Sequence, residues 1–181
     1  MVLLASQYKI LKNGESAPSF SLPATDGKMY SLSDFKKAKA MLIIFMCNHC
    51  PYVVPKVKEM KRIAEDYPDL KVIGINSNED ENYPEDSFGN MKQYHKKWNL
   101  NFVYLHDESQ EVARAYGAVC TPDPFLFDEN FKLIYHGRID DTHGKEEGKH
   151  ELHEVIGEFL ASGKIAKKEM PSMGCSIKWK E

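Results

Sequence analysis

A continuous apolar run at residues 41–46 leads directly into Cys47, and Cys50 follows three residues later. No other feature constrains the fold as strongly, because such a run is typical of a strand buried on both faces of a sheet. The residues after the cysteines carry helical periodicity, so the pattern predicts a strand-to-helix junction with Cys47 in the first helical turn. Unpaired N–H groups and the helix dipole favour negative charge there. We therefore expect the pKa of Cys47 to lie well below that of a free thiol.

Two cysteines with this spacing at such a junction predict thiol–disulfide chemistry. Cys47 is assigned as the attacking thiolate, and Cys50, one helical turn further on, as the resolving thiol that releases the product. The alternative interpretation is a pair of structural core cysteines, because free cysteine is often buried. The position at the junction favours the redox interpretation.

Alternating strand-like and helix-like segments predict an α/β fold, in which a mixed central sheet is flanked by helices. A β-hairpin that turns at Asp26-Gly27 precedes the cysteine pair as an N-terminal extension of this core. An amphipathic helix covers residues 53–67, and Pro55 is expected to kink it. Further segments indicate strands at 72–75 and 102–105, helices near 88–98, 112–116 and 152–159, a hairpin at 125–136 and a polar loop at 144–149.

The sequence contains no internal repeat and no linker. We expect one domain at residues 1–181, with a core at about 16–163 and a C-terminal tail at 164–181. The first fifteen residues carry no periodic signal and are predicted to be an extension. Ile177 and Trp179 indicate that the tail packs back onto the domain.

The charge balance argues against two classes of partner. The 24 Lys and Arg residues nearly match the 27 Asp and Glu residues, the net charge is -3, and no basic stripe is present. Nucleic acid and acidic membrane surfaces are therefore not expected partners. No apolar run approaches transmembrane length, and the N-terminal apolar segment is too short for a secretory signal. We expect a cytoplasmic, thiol-reducing environment, in which four cysteines do not form a disulfide framework.

Several segments together carry a resemblance to a known fold. They are Ala17-Pro18-Ser19-Phe20-Ser21-Leu22, Asp26-Gly27, Leu32-Ser33-Asp34-Phe35, the Cys47 to Cys50 motif, Tyr116-Gly117-Ala118, and Thr121-Pro122 followed by Phe125-Leu126-Phe127-Asp128. In this order the sequence resembles the thioredoxin fold over residues 16–160, and in particular the redoxin branch of thiol–disulfide oxidoreductases and peroxiredoxin-like proteins. With the tail Gly174-Cys175-Ser176-Ile177-Lys178-Trp179 it looks most like a peroxiredoxin-like subgroup that bears Cys-x-x-Cys.

The resemblance implies roles for residues around the cysteines. Thr121-Pro122 matches the family's cis-proline, which sits against the cysteine pair and presents backbone groups to an extended substrate segment. The dipeptide Asn48-His49 occupies the positions that tune redox poise, and a histidine there is similar to the more oxidising members. As a cation near the thiolate, His49 would stabilise the reduced form and make the disulfide a stronger oxidant.

The sequence also departs from the family pattern. Met46 stands where Trp usually precedes the first cysteine, and Met41 stands where many thioredoxins carry a buried acid. Ile44 occupies the position at which peroxiredoxins place a peroxide-binding Thr or Ser, and their peroxide-site arginine has no match around Pro122-Asp123. Ile44 and the missing arginine weigh against peroxidase activity.

We therefore expect an enzyme that exchanges a Cys47–Cys50 disulfide with a protein or small-molecule thiol, without a cofactor and with an unidentified reducing partner. Oligomerisation is left open. One alternative is an antioxidant thiol peroxidase, in which Cys47 becomes a sulfenic acid that Cys50, Cys120 or Cys175 resolves. The other is a module that binds a soft ion such as Cu(I) through Cys47, His49 and Cys50. Cys120 and Cys175 are candidate accessory thiols, each with a buried structural role as its alternative. The cysteine spacing does not predict zinc.

Overall fold

The strands and helices of this computed structural model lie within residues 3–142 and 148–180, the part of the chain that is described. The strands are β1 (Leu3–Ala5), β2 (Ser21–Pro23), β3 (Met29–Ser31), β4 (Ala40–Phe45), β5 (Leu70–Asn76), β6 (Val103–His106), β7 (Cys120–Thr121), β8 (Asp123–Asp128), β9 (Leu133–His136) and β10 (Met173–Ser176). The helices are α1 (Val57–Asp66), α2 (Phe88–Trp98), α3 (Glu111–Tyr116) and α4 (Glu151–Ser162). Most of the predicted polar loop at 144–149 lies outside the described residues.

A mixed sheet with the strand order β6-β5-β4-β8-β9 forms the centre of the fold. β4 pairs in parallel with β5 and antiparallel with β8, so the apolar run has a neighbour on each side. Every residue of β4 is buried because the sheet is covered on both faces. The pleat sends Leu42 and Ile44 towards the residues of α1 and α4, and Ile43 and Phe45 towards the hairpin and α3. This arrangement confirms the predicted α/β class and mixed sheet.

The N-terminal hairpin and the helix ends follow their sequence signals. β2 and β3 pair antiparallel, and Gly27 adopts a φ of 88° in the turn between them. α3 ends at Gly117 and α4 ends at Gly163, both with positive φ, as expected of glycine beyond a helix C-terminus.

The segment after the cysteines differs from its prediction. An amphipathic helix with a kink at Pro55 was expected over residues 53–67, but α1 begins only at Val57, and a short 3-10 turn at Val54–Lys56 precedes it. Pro55 has no N–H to donate to a preceding helical turn, so it lies in the first turn of a helical segment rather than inside one. Cys47 and Cys50 consequently lie in an irregular connection before the helix.

The two ends of the described chain form a second, smaller sheet with the order β1-β10-β7. Residues 1–15, predicted to be an extension without a periodic signal, contribute the strand β1, which pairs antiparallel with β10. The tail packs back as Ile177 indicated, and this side chain is buried among the residues of the hairpin and α3. The small sheet reaches the cysteine pair through β7 and β10.

Candidate active site

The cysteine pair lies at the carboxyl end of β4. The N–H of Met46 still bonds the carbonyl of Ile75 across the sheet, at 2.8 Å, and Cys47 is the next residue. Cys47 is 1% exposed and Cys50 is 0% exposed. A substrate therefore reaches neither sulfur without some local opening of the surrounding chain.

Thr121 contacts both sulfurs of the pair. Its Oγ1 lies 3.3 Å from Cys47 Sγ, and its carbonyl oxygen accepts a hydrogen bond from Cys50 Sγ at 3.4 Å. The Thr121–Pro122 peptide bond is cis, which confirms the geometry that the resemblance implied. The predicted site residues Cys47, Cys50, Thr121 and Pro122 therefore come together.

The strand β7, which leads into the cis-proline, is paired with another strand of the same chain. β7 pairs antiparallel with β10, in the register Thr121↔Cys175 and Cys120↔Ser176. Gly174 permits this approach, because a Cβ at that position would lie 1.9 Å from the Thr121 carbonyl oxygen. The backbone groups expected to face an extended substrate instead bond the tail of the same chain.

The two candidate accessory thiols have different surroundings. Cys175 Sγ lies 2.8 Å from Cys50 Sγ, so the tail adds a third sulfur to the pair. Cys120 is 0% exposed and lies beside Ser6 and Asp123. Burial raises the pKa of Cys120 far above that of a free thiol, as expected of a core cysteine.

The ionisation of the pair is opposite to the sequence prediction. Burial, the interaction with Cys50 and the negative charge of Asp86 raise the pKa of Cys47 well above its ordinary value. The interactions with Cys47 and Cys175 and the N–H of Tyr52 lower the pKa of Cys50 to about 5. The expected low pKa of Cys47 is wrong for this structure, because Cys47 is buried beside Asp86. In addition, α1 begins only at Val57 and offers Cys47 no helix N-terminus. Of the two thiols, Cys50 is therefore the one whose ionisation its surroundings favour.

Asp86 is a buried carboxylate beside the site that sequence analysis missed. Its Oδ1 accepts hydrogen bonds from the backbone N–H of Asn48 at 2.7 Å and from Asn76 at 3.2 Å, and its Oδ2 accepts one from Asn78 at 2.7 Å. Burial opposes its ionisation, but these bonds and His49 outweigh burial and lower the pKa of Asp86. Asn76 and Asn78 lie at the carboxyl end of a buried strand parallel to β4, and this signal could have indicated a polar cluster beside Cys47.

His49 belongs to the same cluster. Its Nδ1 lies 2.8 Å from Asp86 Oδ2, and its ring stacks on Tyr83 at 5.6 Å. The contact with Asp86 raises the pKa of His49 against the opposing effect of burial. A positive charge on His49 would therefore lie against the Asp86 carboxylate and beside Cys47, and the redox tuning expected of His49 stays a prediction. Its neighbour Asn48 is fixed by Tyr104, whose hydroxyl donates to Asn48 Oδ1 at 2.9 Å.

A group of metal-ligand atoms also forms here, but not the predicted one. The ligand atoms of Cys47, His49 and Asp86 lie within 4.8 Å of one another, whereas the predicted set contained Cys50 in place of Asp86. A carboxylate oxygen in the set suits harder cations than Cu(I), which prefers sulfur ligands. Separately, none of the helices in the described ranges has the length and apolar character needed to cross a membrane.

Comparison with known proteins gives the relationships of the chain. The sequence profile of the Redoxin family matches residues 12–153. The crystal structure of an uncharacterized conserved protein from Geobacillus kaustophilus is 40% identical, with a TM-score of 0.92 over 99% of this chain and 97% of that chain. The thiol-disulfide oxidoreductase ResA of Bacillus cereus is 28% identical over 71% of each chain. Peroxiredoxin Bcp of Escherichia coli is 28% identical over 59% of this chain and 65% of its own length.

Proposed function

The chain belongs to the Redoxin family, and on this premise we propose that it is a thiol–disulfide oxidoreductase that exchanges a Cys47–Cys50 disulfide with protein or small-molecule thiols. One observation carries the proposal: Thr121, which precedes the cis-proline, contacts both sulfurs of a Cys-x-x-Cys pair at the end of the central strand. The similarity to a thiol-disulfide oxidoreductase of Bacillus cereus supports the same reaction.

The two cysteines take different parts in reducing a substrate disulfide. Cys47 attacks one substrate sulfur, the substrate S–S bond breaks, and the other substrate sulfur leaves as a thiolate. The Cys50 thiolate beside Cys47 receives the proton that Cys47 gives up, which offsets the high pKa of Cys47. Cys50 then attacks Cys47 in the mixed disulfide, releases the second substrate thiol and leaves a Cys47–Cys50 disulfide. A reducing partner restores the dithiol.

A peroxidase is the weaker candidate. Ile44 is fully buried in β4 and has no hydroxyl to hold a peroxide near Cys47. The arginines of the sequence are Arg62, Arg114 and Arg138, and each is engaged elsewhere. Arg62 pairs with Asp66, Arg114 lies over the ring of Trp179, and Arg138 pairs with Glu151. None of these contacts brings an arginine to Cys47.

The test of the proposed function is reduction of insulin disulfides, followed by peptide mapping. We expect wild-type protein to accelerate insulin reduction by dithiothreitol and to form a Cys47–Cys50 disulfide with oxidised glutathione. Cys47→Ser and Cys50→Ser should lower the rate to background, whereas Cys120→Ser, which changes a buried cysteine outside the pair, should retain it. A wild-type protein without insulin reduction, or with sulfenic acid at Cys47 as its main product under stoichiometric peroxide, would contradict the proposal.

Fewer observations bear on the cellular location, the electron donor and the substrate than on the reaction itself. A cytoplasmic location and an antioxidant role stay predictions from the sequence, and the electron donor is unidentified. The substrate is proposed to be a protein thiol, by analogy with the oxidoreductase relatives. A pull-down with Cys50→Ser, which traps mixed disulfides on Cys47, would identify the substrates in cell extracts.

A further inference from the structure

Cys175 meets the active-site pair from a strand that the proposed reaction does not use. Its Sγ lies 2.8 Å from Cys50 Sγ, between the S–S bond length of about 2.05 Å and an ordinary nonbonded contact. We propose that Cys175 is a third redox thiol. It displaces Cys47 from the Cys47–Cys50 disulfide and forms a Cys50–Cys175 disulfide. This rests on the proposed function, since the Cys47–Cys50 disulfide is its starting state.

The position of Cys175 is fixed from both sides. β10 is the central strand of the small sheet, where Cys175 is paired with Leu3 on one side and with Thr121 on the other. Directly paired residues in an antiparallel sheet send their side chains to the same face, so Cys175 points to the side on which Thr121 meets the cysteine pair. A nucleophile held in this way reacts with a high effective concentration.

The transfer is an internal thiol–disulfide exchange and needs no outside oxidant. The Cys175 thiolate attacks Cys50 Sγ, the S–S bond to Cys47 breaks, and Cys47 leaves as a thiolate that takes up the proton lost by Cys175. The number of disulfides does not change, so no electrons enter or leave the protein.

Formation of the first disulfide changes the ionisation of Cys175 in the direction that this step needs. In the reduced site, burial and the contact with Cys50 raise the pKa of Cys175 to about 12, and Lys178 acts in the opposite direction. A Cys50 sulfur held in a disulfide carries no negative charge, so its part of the increase disappears. The larger part of the increase, which burial causes, stays, and the contact between the two sulfurs carries the proposal.

Cys120 shows that burial near the site does not by itself bring a thiol against the cysteine pair. It is as deeply buried as Cys50, but its register partner is Ser176, one residue beyond Cys175, so its side chain lies on the opposite face of the small sheet. It is the matched control for every cysteine variant here.

The consequence is an oxidised protein with a free Cys47. When Cys50 is bonded to Cys175, Cys47 is again a thiol next to Thr121 and can attack a second substrate disulfide. The Cys50–Cys175 bond would also fasten β10 over the site. The protein would then keep the Cys50–Cys175 disulfide while the Cys47 thiol reacts with substrate.

The experiment is a time course of disulfide mapping by mass spectrometry. Reduced wild-type protein is treated with stoichiometric oxidised glutathione, quenched by alkylation and digested. We expect the Cys47–Cys50 peptide to appear first and to be followed by Cys50–Cys175 with alkylated Cys47. Cys120→Ser should show the same course, whereas Cys175→Ser should stop at Cys47–Cys50.

A second variant separates this proposal from the proposed function. Cys47→Ser lacks the starting disulfide but keeps both partners, and oxidised glutathione should convert it to Cys50–Cys175 rather than to a stable glutathione adduct. Wild-type protein that reduces insulin and forms Cys47–Cys50 but never Cys50–Cys175 would overturn the proposal and leave the proposed function intact. Wild-type protein inactive towards insulin would overturn the proposed function, while the map of Cys47→Ser would still report on Cys175.

Discussion

The two faces of the small sheet carry one buried cysteine each, and only one of these cysteines meets the active-site pair. Cys175 and Thr121 lie on the face that contacts Cys47 and Cys50. Cys120 lies on the other face, beside Ser6 and Asp123. Cys175 is 3% exposed and Cys120 is 0% exposed, so exposure does not distinguish them. A step of one residue along a pleated strand decides which thiol is reactive.

The polar groups of the two faces differ in the same way. On the Cys120 side, Asp123 Oδ1 accepts a hydrogen bond from Ser6 at 2.8 Å and lies 2.7 Å from His136 Nε2. The His136 ring stacks on Phe125 at 3.9 Å, which leaves the pair enclosed in the core. On the Cys175 side, Asp86 pairs with His49 and adjoins Cys47, and its negative charge contributes to the raised pKa of that thiol. The Cys120 face therefore contributes to the stability of the fold, whereas the Cys175 face affects the pKa at the cysteine pair.

Gly174→Ala should have the largest effect, because it disturbs the pairing of β10 with β7, on which both faces of the small sheet depend. The added Cβ would lie 1.9 Å from the Thr121 carbonyl oxygen, so β10 must move away from β7. We expect a loss of roughly 1–3 kcal/mol or more in the free energy of unfolding and a marked loss of the Cys50–Cys175 disulfide. Urea unfolding and disulfide mapping measure the two effects.

Gly89→Ala is the control for this substitution. Gly89 lies in α2, and a Cβ there meets no atom within 4 Å. Helical alanine should stabilise the protein by roughly 0.5–1 kcal/mol. Wild-type stability together with a wild-type disulfide map in Gly174→Ala would show that the register of β10 does not control Cys175.

Thr121→Val sharpens the comparison on the reactive face. It keeps a β-branched side chain but removes the hydroxyl, whose hydrogen bond lowers the pKa of Cys47. The pKa of Cys47 should rise further, and its alkylation by iodoacetamide at neutral pH should slow by roughly threefold to tenfold, the equivalent of one hydrogen bond of about 1 kcal/mol. Thr121→Ser should restore the rate. Equal rates for valine and serine would remove Thr121 from the control of Cys47.

The pH dependence of stability tests the ion pair on the same face. Asp86 raises the pKa of His49 above the ordinary value of about 6.5 in the unfolded chain. A raised pKa gives stability that is fully present below the unfolded value and lost as the pH rises through the folded value. The stability advantage of wild type over His49→Gln should therefore shrink in urea unfolding as the pH rises above about 6.5, the ordinary pKa of histidine. A pH-independent difference would mean that His49 is not charged in the folded protein.

Ser6→Ala should have the smallest effect, because it changes only the unreactive face. It removes the hydrogen bond of the Ser6 hydroxyl to Asp123, and we expect a loss of about 1 kcal/mol in the free energy of unfolding. The order in which the disulfides form should not change. A Ser6→Ala protein with an altered disulfide map would show that the two faces are coupled.

Apolar patterning predicted the elements that bury a complete face. β4 and β5 were found because each is a continuous apolar run, and α4 because its apolar period ends at a glycine. The position of the cis-proline came from the resemblance, since an X-Pro bond carries no local signal of its isomer. The Cys-x-x-Cys pair itself needed only its spacing and its place after β4.

The parts of the site that the sequence analysis missed lie on short strands or depend on contacts between residues far apart in the sequence. β1 and β10 contain three and four residues, too few for a period to be recognised. Asp86 belongs to no sequence motif, and only the fold turns it inwards against Asn48. The pKa of Cys47 was expected to be low, but it is raised because the fold buries this thiol beside Asp86, while the helix expected to lower it begins only at Val57.

The pairing of β1 with β10 also bears on the order in which the protein folds. Ser6 bonds Ser172 across a separation of 166 residues, so closing this loop costs more chain entropy than any local hairpin. Contacts of such long range are slow to form, and the central sheet and its helices can assemble before them. The thiol of Cys175 would then be delivered to a nearly finished site. Disturbing residues 3–5, at the far end of the chain from Cys175, would loosen the strand that holds this thiol against Cys50.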